Sequence, residues 1–427
     1  MLINFSFSNF RSFRDRADFS MIAGRGRQHL SSLQKMPDVS GMNVLPLCAI
    51  FGGNASGKSN FVKALSHMQK MILSGKIETE PFKLDPEFSD APSEFVICAL
   101  ANERVWEYSL SVRNKEIEEE SLLYMRKKKE VQVFHRTRNS FSVGESVNIP
   151  EESRTKLQLI GETLAPGSIF LHAAQTYRLE GLDSVFSPIY NWFRDTLCIV
   201  SANSKRAALG VELLKNLSLY SDALTRADTG IDELKLTEVN PEQLDIDPNL
   251  LEKFRQSEAN VIFHNEDSTL VLVKKDDGIH AYRCLSMHRD NTGKEVPFLF
   301  TEESDGSRRL LHLLPILIDH EIQPRVYVVD ELDRSLHTGL SRYLVEQQLE
   351  IAETDPRNRQ QLIFTTHDVM LMDRDLLRTD EMWAVERNRD HGSRLISFED
   401  FIEIHRDKNI RNSYLTGHMG GLPRINL

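Results

Sequence analysis

No stretch of this chain stays apolar for the roughly 18 to 20 residues that a membrane-spanning helix needs, so nothing in it is marked for a bilayer. Cysteine is scarce. Four residues in 427, Cys48, Cys98, Cys198 and Cys284, are scattered with no two close in sequence. That spacing argues against both a zinc site and a disulfide framework, and leaves the thiols as small hydrophobes for a buried core. An excess of positive charge is missing too. The formal charge is −11, so no global field draws the chain to nucleic acid or anionic lipid; a nucleic-acid partner is open only through a local basic groove. The N-terminus, MLINFSFSNFRSF, alternates apolar and polar residues like a strand and lacks the charged-then-apolar layout of a secretory leader. There is no internal repeat and no low-complexity tract. A cytoplasmic protein without a membrane partner is the expectation.

What is there suits two or three domains with a sizeable core. Residues 2–8 and 18–23 read as strands around Arg14-Asp15-Arg16. Val44–Phe51 is a continuous apolar run ended by Gly52-Gly53, the pattern of a buried strand feeding a tight loop. Asn60–Leu73 then has helical spacing, with Phe61, Leu65, Met68 and Leu73 on one face. Short alternating stretches from about 94 to 148 predict an antiparallel sheet, and residues 150–259 read as mostly helical. Strand patterns return at NVIFH, TLVLVKK and VYVVD. The expected division is 1–148 as a first lobe, 149–260 as a mainly helical insert, and 261–427 as a second lobe.

The stretch Gly52, Gly53, Asn54, Ala55, Ser56, Gly57, Lys58, Ser59, Asn60 satisfies the phosphate-loop pattern, with a strand before it and a helix after it. Its glycines let backbone N–H groups close around phosphates, and the helix start adds a positive end. Lys58 would balance charge on the outer phosphates of ATP, and Ser59 would hold Mg²⁺. Val326–Asp330 is a buried strand that places carboxylates at a sheet edge where ligands gather. Asp330 would support the metal shell, and Glu331 would orient or deprotonate an attacking water. Ile363–Thr366 is another apolar strand, ending at His367, which can donate to a γ-phosphate. Glu303-Ser304-Asp305-Gly306-Ser307-Arg308 opens a helical apolar stretch. Ser304 or Ser307 could cap that helix, and Gly306 permits close backbone approach; the alternative is a second anion-binding helix start. A guanine-reading Asn-Lys-x-Asp is absent, since Asn114-Lys115 runs into Glu116-Ile117.

The order of these pieces resembles the ABC-type ATPases, including those of DNA repair and chromosome maintenance. Within that group the chain is most similar to small stand-alone ATPases of bacterial phage-defence and restriction-linked loci, of the RloA and AbiL kind, and to the ATPase part of OLD-type nucleases. Asn9-Phe10-Arg11-Ser12-Phe13, Asn54–Asn60, Glu303–Arg308, Asp330-Glu331-Leu332-Asp333-Arg334-Ser335-Leu336-His337 and Thr365-Thr366-His367 carry the likeness, with Tyr414–Gly417 and Gly420–Pro423 near the C-terminus. The resemblance implies an α/β fold, an ABC-type P-loop head of mixed sheet plus antiparallel β subdomain. It also implies two heads sandwiching two ATP molecules, so that Ser304 and Gly306 contact a γ-phosphate in trans and Arg11 lies near the same nucleotide. A homodimer or higher homo-oligomer, and a separate effector protein as partner, follow from the same likeness. The helix start departs from the transporter Leu-Ser-Gly-Gly-Gln, and His337 stands where transporters have Asp.

Other functions are narrowed by what surrounds the motifs. Ser304 lies 245 residues after Ser59 with no run of three or four heptads between, which excludes a long coiled-coil ATPase. A RecF-like DNA-binding repair ATPase stays as the alternative. Only 60 residues follow His367, too few for a nuclease domain in cis. The run Met125-Arg126-Lys127-Lys128-Lys129 could touch nucleic-acid phosphates or be a charged hairpin tip beside Glu118, Glu119 and Glu120. Tyr177, Tyr190, Trp192 and Phe193 could serve docking or the core.

Overall fold

The computed structural model describes residues 1–36, 41–126, 129–177, 184–201, 216–227, 229–240, 251–252, 254–255, 261–264, 270–275, 277–318, 323–355, 357–388, 390, 392–401 and 410–416. Its contacts divide into two compact units. One comprises Met1–Ser201, Gln323–Leu332 and Val345–Leu427; the other comprises Ala202–Ile322 and Asp333–Leu344.

Alternating side chains build the first unit's larger sheet. Strands β1 (Leu2–Ser8) and β2 (Ala17–Ser20) join the meander β6 (Ser93–Ala101), β7 (Arg104–Arg113), β8 (Glu116–Arg126), β9 (Lys129–Thr137) and β10 (Phe141–Val143). The spatial order is β10-β9-β8-β7-β6-β1-β2, antiparallel throughout. In β7 every second residue is buried, Trp106 and Tyr108 completely, as a half-covered sheet requires.

Continuous apolar runs build the second sheet of that unit. It takes the order β11 (Leu197–Val200), β17 (Val326–Val329), β18 (Gln361–Thr366), β5 (Leu47–Phe51), β19 (Met382–Arg387), β20 (Ser393–Ser397). The first five are parallel and β20 is antiparallel to β19. Every residue of β5, β17 and β18 is buried, the signature of strands covered on both faces. Helix α1 (Lys58–Ser74) follows β5 and buries Phe61, Val62, Leu65, Met68 and Ile72. Phe61 stacks edge-on with Phe5 at 6.1 Å and with Phe19 at 5.0 Å between ring centroids. Between the sheets, Gln361 accepts from the Leu2 amide at 2.6 Å and donates to the carbonyls of Leu2 and Leu45; a fully buried amide must be paired in this way.

Three expectations are corrected here. The run Val44–Phe51 is not one strand. Val44 ends the short β4 (Asn43–Val44), paired with β3 (Gln34–Lys35), and β5 starts only at Leu47. Pro46 lies between them and has no N–H for a ladder; its carbonyl accepts from the Leu362 amide at 3.0 Å. The segment 149–260, mainly helical among its described residues, does not stand apart as an insert either. It holds the helices Glu151–Thr163, Phe170–Thr176, Ser187–Asn191 and Leu217–Arg226, but β11 enters the parallel sheet and β12 (Glu233–Val239) enters another. The boundaries expected at 148 and 260 therefore fall inside the two units. One reason is Glu120, completely buried in β8, whose carboxylate accepts from the amides of Phe170 and Leu171 at 2.9 Å each and from the Tyr108 hydroxyl. The third correction is that Glu120 does not flank a charged tip. Residues 127–128 lie outside the described residues, while Arg126 and Lys129 pair at the β8–β9 turn.

The second unit is an antiparallel sheet in the order β12-β15-β14-β13, where β13 is Val261–His264, β14 Leu270–Lys275 and β15 Gly278–Arg289, with β16 (Glu295–Leu299) also on β15. Helices Leu217–Arg226 and Asp305–Leu313 share a core around Tyr220, Leu224, Leu234, Leu310 and Leu314. Of the thiols, Cys48 and Cys284 are buried whereas Cys98 and Cys198 are only half-buried. Burial pushes Cys98 and Cys284 up to about 12. Gly417 and Gly420–Pro423 lie outside the described residues.

Candidate functional site

Parallel register brings the strand ends to one edge. Val329 of β17 is level with Phe364 of β18, and Thr366 of β18 is level with Phe51 of β5. Gly52, Asp330 and His367 follow these strands, so residues over three hundred positions apart emerge together at the C-terminal edge of the sheet, where ligands of open α/β sheets bind.

The loop itself is shaped by close approach. A Cβ on Gly52 would lie 2.6 Å from the Val385 carbonyl, and one on Gly57 would lie 2.3 Å from Ser393 Oγ and 2.9 Å from Ser12 Oγ. Gly57 has φ 117° and forms the N-cap of α1 without a side-chain cap. Ala55, a non-glycine at φ 58°, accepts strain of about 1 kcal/mol or more. The leading amides of a helix have no partner within it, and the positive end of a seventeen-residue helix therefore stands open to an anion.

Around this start the polar side chains converge. Lys58, 5% exposed, donates from Nζ to the carbonyls of Gly52 at 2.7 Å and Gly53 at 3.1 Å, and lies 3.4 Å from His367 Nδ1. Ser59 Oγ donates to Asp330 Oδ1 at 3.1 Å, and Thr365 Oγ1 donates to the same oxygen at 2.8 Å. Thr365 Oγ1 also accepts from the Glu331 amide at 2.8 Å, holding Glu331 at φ 53°. Among the described residues no three His, Cys, Asp or Glu converge as a metal cage. The Ser59–Asp330 pair fits a different kind of metal site, one in which Mg²⁺ takes its remaining ligands from water and substrate phosphates.

A supporting layer comes from the turn after β1. Asn9, 2% exposed with φ 50°, donates from Nδ2 to the carbonyls of Phe88 and Ala91 and accepts from the Phe82 amide. Arg11, at φ 52°, pairs with Glu80 at 2.5 Å. Its neighbour Ser12 accepts from Asn60 Nδ2 at 2.8 Å. The structure thus brings Lys58, Ser59, Asn60, Asp330, Glu331 and His367 together, with Arg11 one residue from a direct contact to the loop. Ser304 and Gly306 belong to the other unit. There Ser304 Oγ caps Asp305–Leu313 by accepting from the Ser307 amide at 3.1 Å, and a Cβ on Gly306 would lie 2.9 Å from the Ser335 carbonyl. Two residues without a role in the motif reading hold the site: Thr365, visible only as part of a strand-end string, and Ser393, for which the sequence carries no signal.

The fold and this edge define a P-loop ATPase. A family model described as "AAA domain, putative AbiEii toxin, Type IV TA system" matches residues 47–373, more than half of the chain, and the protein belongs to that family. No curated protein matches the sequence. Among solved structures, the SMC head domain from Thermotoga maritima is similar at 13% identity and a TM-score of 0.36, covering 93% of this chain and 98% of that one. An SMC head bound to the C-winged helix domain of ScpA is similar at 14% identity and a TM-score of 0.39, with 93% and 97% coverage. No helix of the described residues is long and apolar enough to cross a membrane.

Proposed function

We propose that this chain is an ABC-type ATPase that binds and hydrolyses Mg-ATP and acts as an oligomeric sensor or switch in a bacterial anti-phage defence system, controlling a separate effector protein. The observation that carries the ATP part is the meeting of Ser59, Asp330 and Thr365 beside the uncapped start of α1. Magnesium, when bound, supplies charge neutralisation at the outer phosphates. Ser59 and Asp330 would hold it; Lys58 would leave the loop carbonyls for the phosphates. Glu331, anchored through its amide, would orient or deprotonate the attacking water, and His367 would donate to the γ-phosphate. Arg11 would approach the same nucleotide by exchanging Glu80 for phosphate.

The oligomer and the defence role rest on the motif strings and on the family description. Ser304 and Gly306 would act across a homodimer, offering a second helix start to the γ-phosphate. Turnover would then depend on assembly, because part of the transition-state stabilisation comes from the partner. The test uses two variants. Lys58→Ala is expected to abolish ATP binding. Glu331→Gln is expected to bind ATP, lose turnover and increase in mass with Mg-ATP by light scattering. A monomer under both conditions, or unchanged turnover in Glu331→Gln, would refute the corresponding part.

A further inference from the structure

The phosphate loop is held from behind by a residue that belongs to none of the motifs. Ser393 opens β20 and is 5% exposed. Its amide donates to the Ser12 carbonyl at 2.6 Å. Its hydroxyl lies 2.6 Å from the Ser56 carbonyl and 2.8 Å from Ser12 Oγ, while Ser12 Oγ accepts from Asn60 Nδ2 at 2.8 Å. A hydroxyl has one proton and a carbonyl can only accept, so the shorter bond, to Ser56, takes it.

That bond fixes more than one atom. The Ser56–Gly57 peptide is planar and trans, so a carbonyl turned toward Ser393 turns the Gly57 N–H to the opposite side, away from the β19–β20 hairpin. Gly57 is the residue whose φ of 117° starts α1, and its missing side chain is what lets the Ser393 hydroxyl come so close. From this geometry we infer that Ser393 is a positioning residue of the nucleotide site: its hydroxyl sets the direction of the Gly57 amide and so pre-orders one of the donors that meet phosphate. The inference rests on the ATPase reading above. It also makes the start of β20 a mechanical neighbour of the loop, and Asp390, just before it, pairs with Arg14 at 2.7 Å.

The experiment compares full-length wild type with Ser393→Ala, Ser393→Thr, Ser12→Ala and Lys58→Ala, using a fluorescent ATP analogue for affinity, steady-state ATP turnover, and thermal melts. Ser393→Ala is expected to weaken nucleotide binding about tenfold, or about 1.4 kcal/mol, to raise KM by a similar factor with little change in kcat, and to melt like wild type. Ser393→Thr keeps the hydroxyl and is expected to restore affinity. Ser12→Ala leaves the Ser56 bond in place and is expected to have the smaller effect. Should Ser393→Ala unfold, Ser393→Cys, close in size but a weak donor, takes its place and is expected to show the same direction of loss; wild-type affinity in it overturns the role of Ser393. Wild-type affinity in Ser393→Ala alongside loss of binding in Lys58→Ala overturns the role of Ser393 and leaves the ATPase reading standing. Retained binding in Lys58→Ala overturns both.

Discussion

Replacing Thr365 by Val tests whether the site is organised by the strand end or by the motif acids alone. Valine keeps the shape and removes only the hydroxyl. Two bonds go with it: the one donated to Asp330 Oδ1 and the one accepted from the Glu331 amide, each 2.8 Å long. Thr365 is fully buried, so water cannot substitute cheaply. A bond to a charged group contributes about 1.5–3 kcal/mol, and a buried N–H left without its partner costs about 1–3 kcal/mol. The losses share a neighbourhood and do not simply add, and Ser59 still reaches Asp330. A net loss of about 2–4 kcal/mol is expected. Urea denaturation reads the stability, and ATP turnover reads the site. The Glu331 backbone sits at φ 53° with its amide held by Thr365, so losing that bond is expected to lower kcat at least about tenfold, with KM changing far less. Stability within about 0.5 kcal/mol of wild type, together with unchanged kcat, would show that Asp330 and Glu331 are positioned without Thr365.

Two further predictions concern carboxyls outside the site. Burial pushes the Glu381 carboxyl up to about 8 from 4.5, with Asp380 adding repulsion. Between those values the folded chain keeps a proton that the unfolded chain has released, so this group's contribution to stability falls as pH rises from 4.5 to 8 and is flat above. Glu381→Gln should remove that slope, up to about 1.4 kcal/mol per pH unit; denaturant midpoints of both proteins at pH 6 and pH 9 decide it, and parallel shifts would contradict the assignment. Glu120→Ala should cost about 3–5 kcal/mol, since it strands the Phe170 and Leu171 amides and the Tyr108 hydroxyl and removes the counter-charge 3.6 Å from the buried Arg136 guanidinium, which keeps only the carbonyls of Leu164, Ala165 and Ser168. A urea midpoint equivalent to a loss below about 1 kcal/mol would mean those groups find other partners.

The elements legible in the sequence are those whose local pattern and tertiary place agree. β17 is apolar throughout because both faces are covered, and α1 shows its buried face at helical spacing. The glycine-rich loop is legible because its conformation demands glycine at Gly57. What failed did so for equally physical reasons. Pro46 breaks an apolar run that periodicity alone treats as one strand. The four-residue β11 is too short to show a period and is a strand only because β17 lies beside it. Glu120 looks like one of three surface acids, and only its place between Tyr108 and the amides of 170–171 makes it a core residue.

The same division runs through the candidate site. Gly52, Asp330 and His367 could be read from the sequence because each ends an apolar strand, and parallel pairing then leaves no choice but to gather them at one edge. Ser393 and Ser12 have no such rule behind them. Ser12 sits in a turn whose neighbours Asn9 and Arg11 adopt φ 50° and 52°, conformations that side chains other than glycine avoid unless the surroundings enforce them. Here the enforcement is visible: the Asn9 side chain ties down 82–91, the Arg11 amide donates to the Glu80 carbonyl, and Ser393 closes the turn from β20. The strain in that turn is therefore held in place by bonds that lead to the phosphate loop. Hydrogen bonds thus connect the loop to the start of β20 and the turn after β1 to Ser93, and they pass through serines that no spacing pattern would single out.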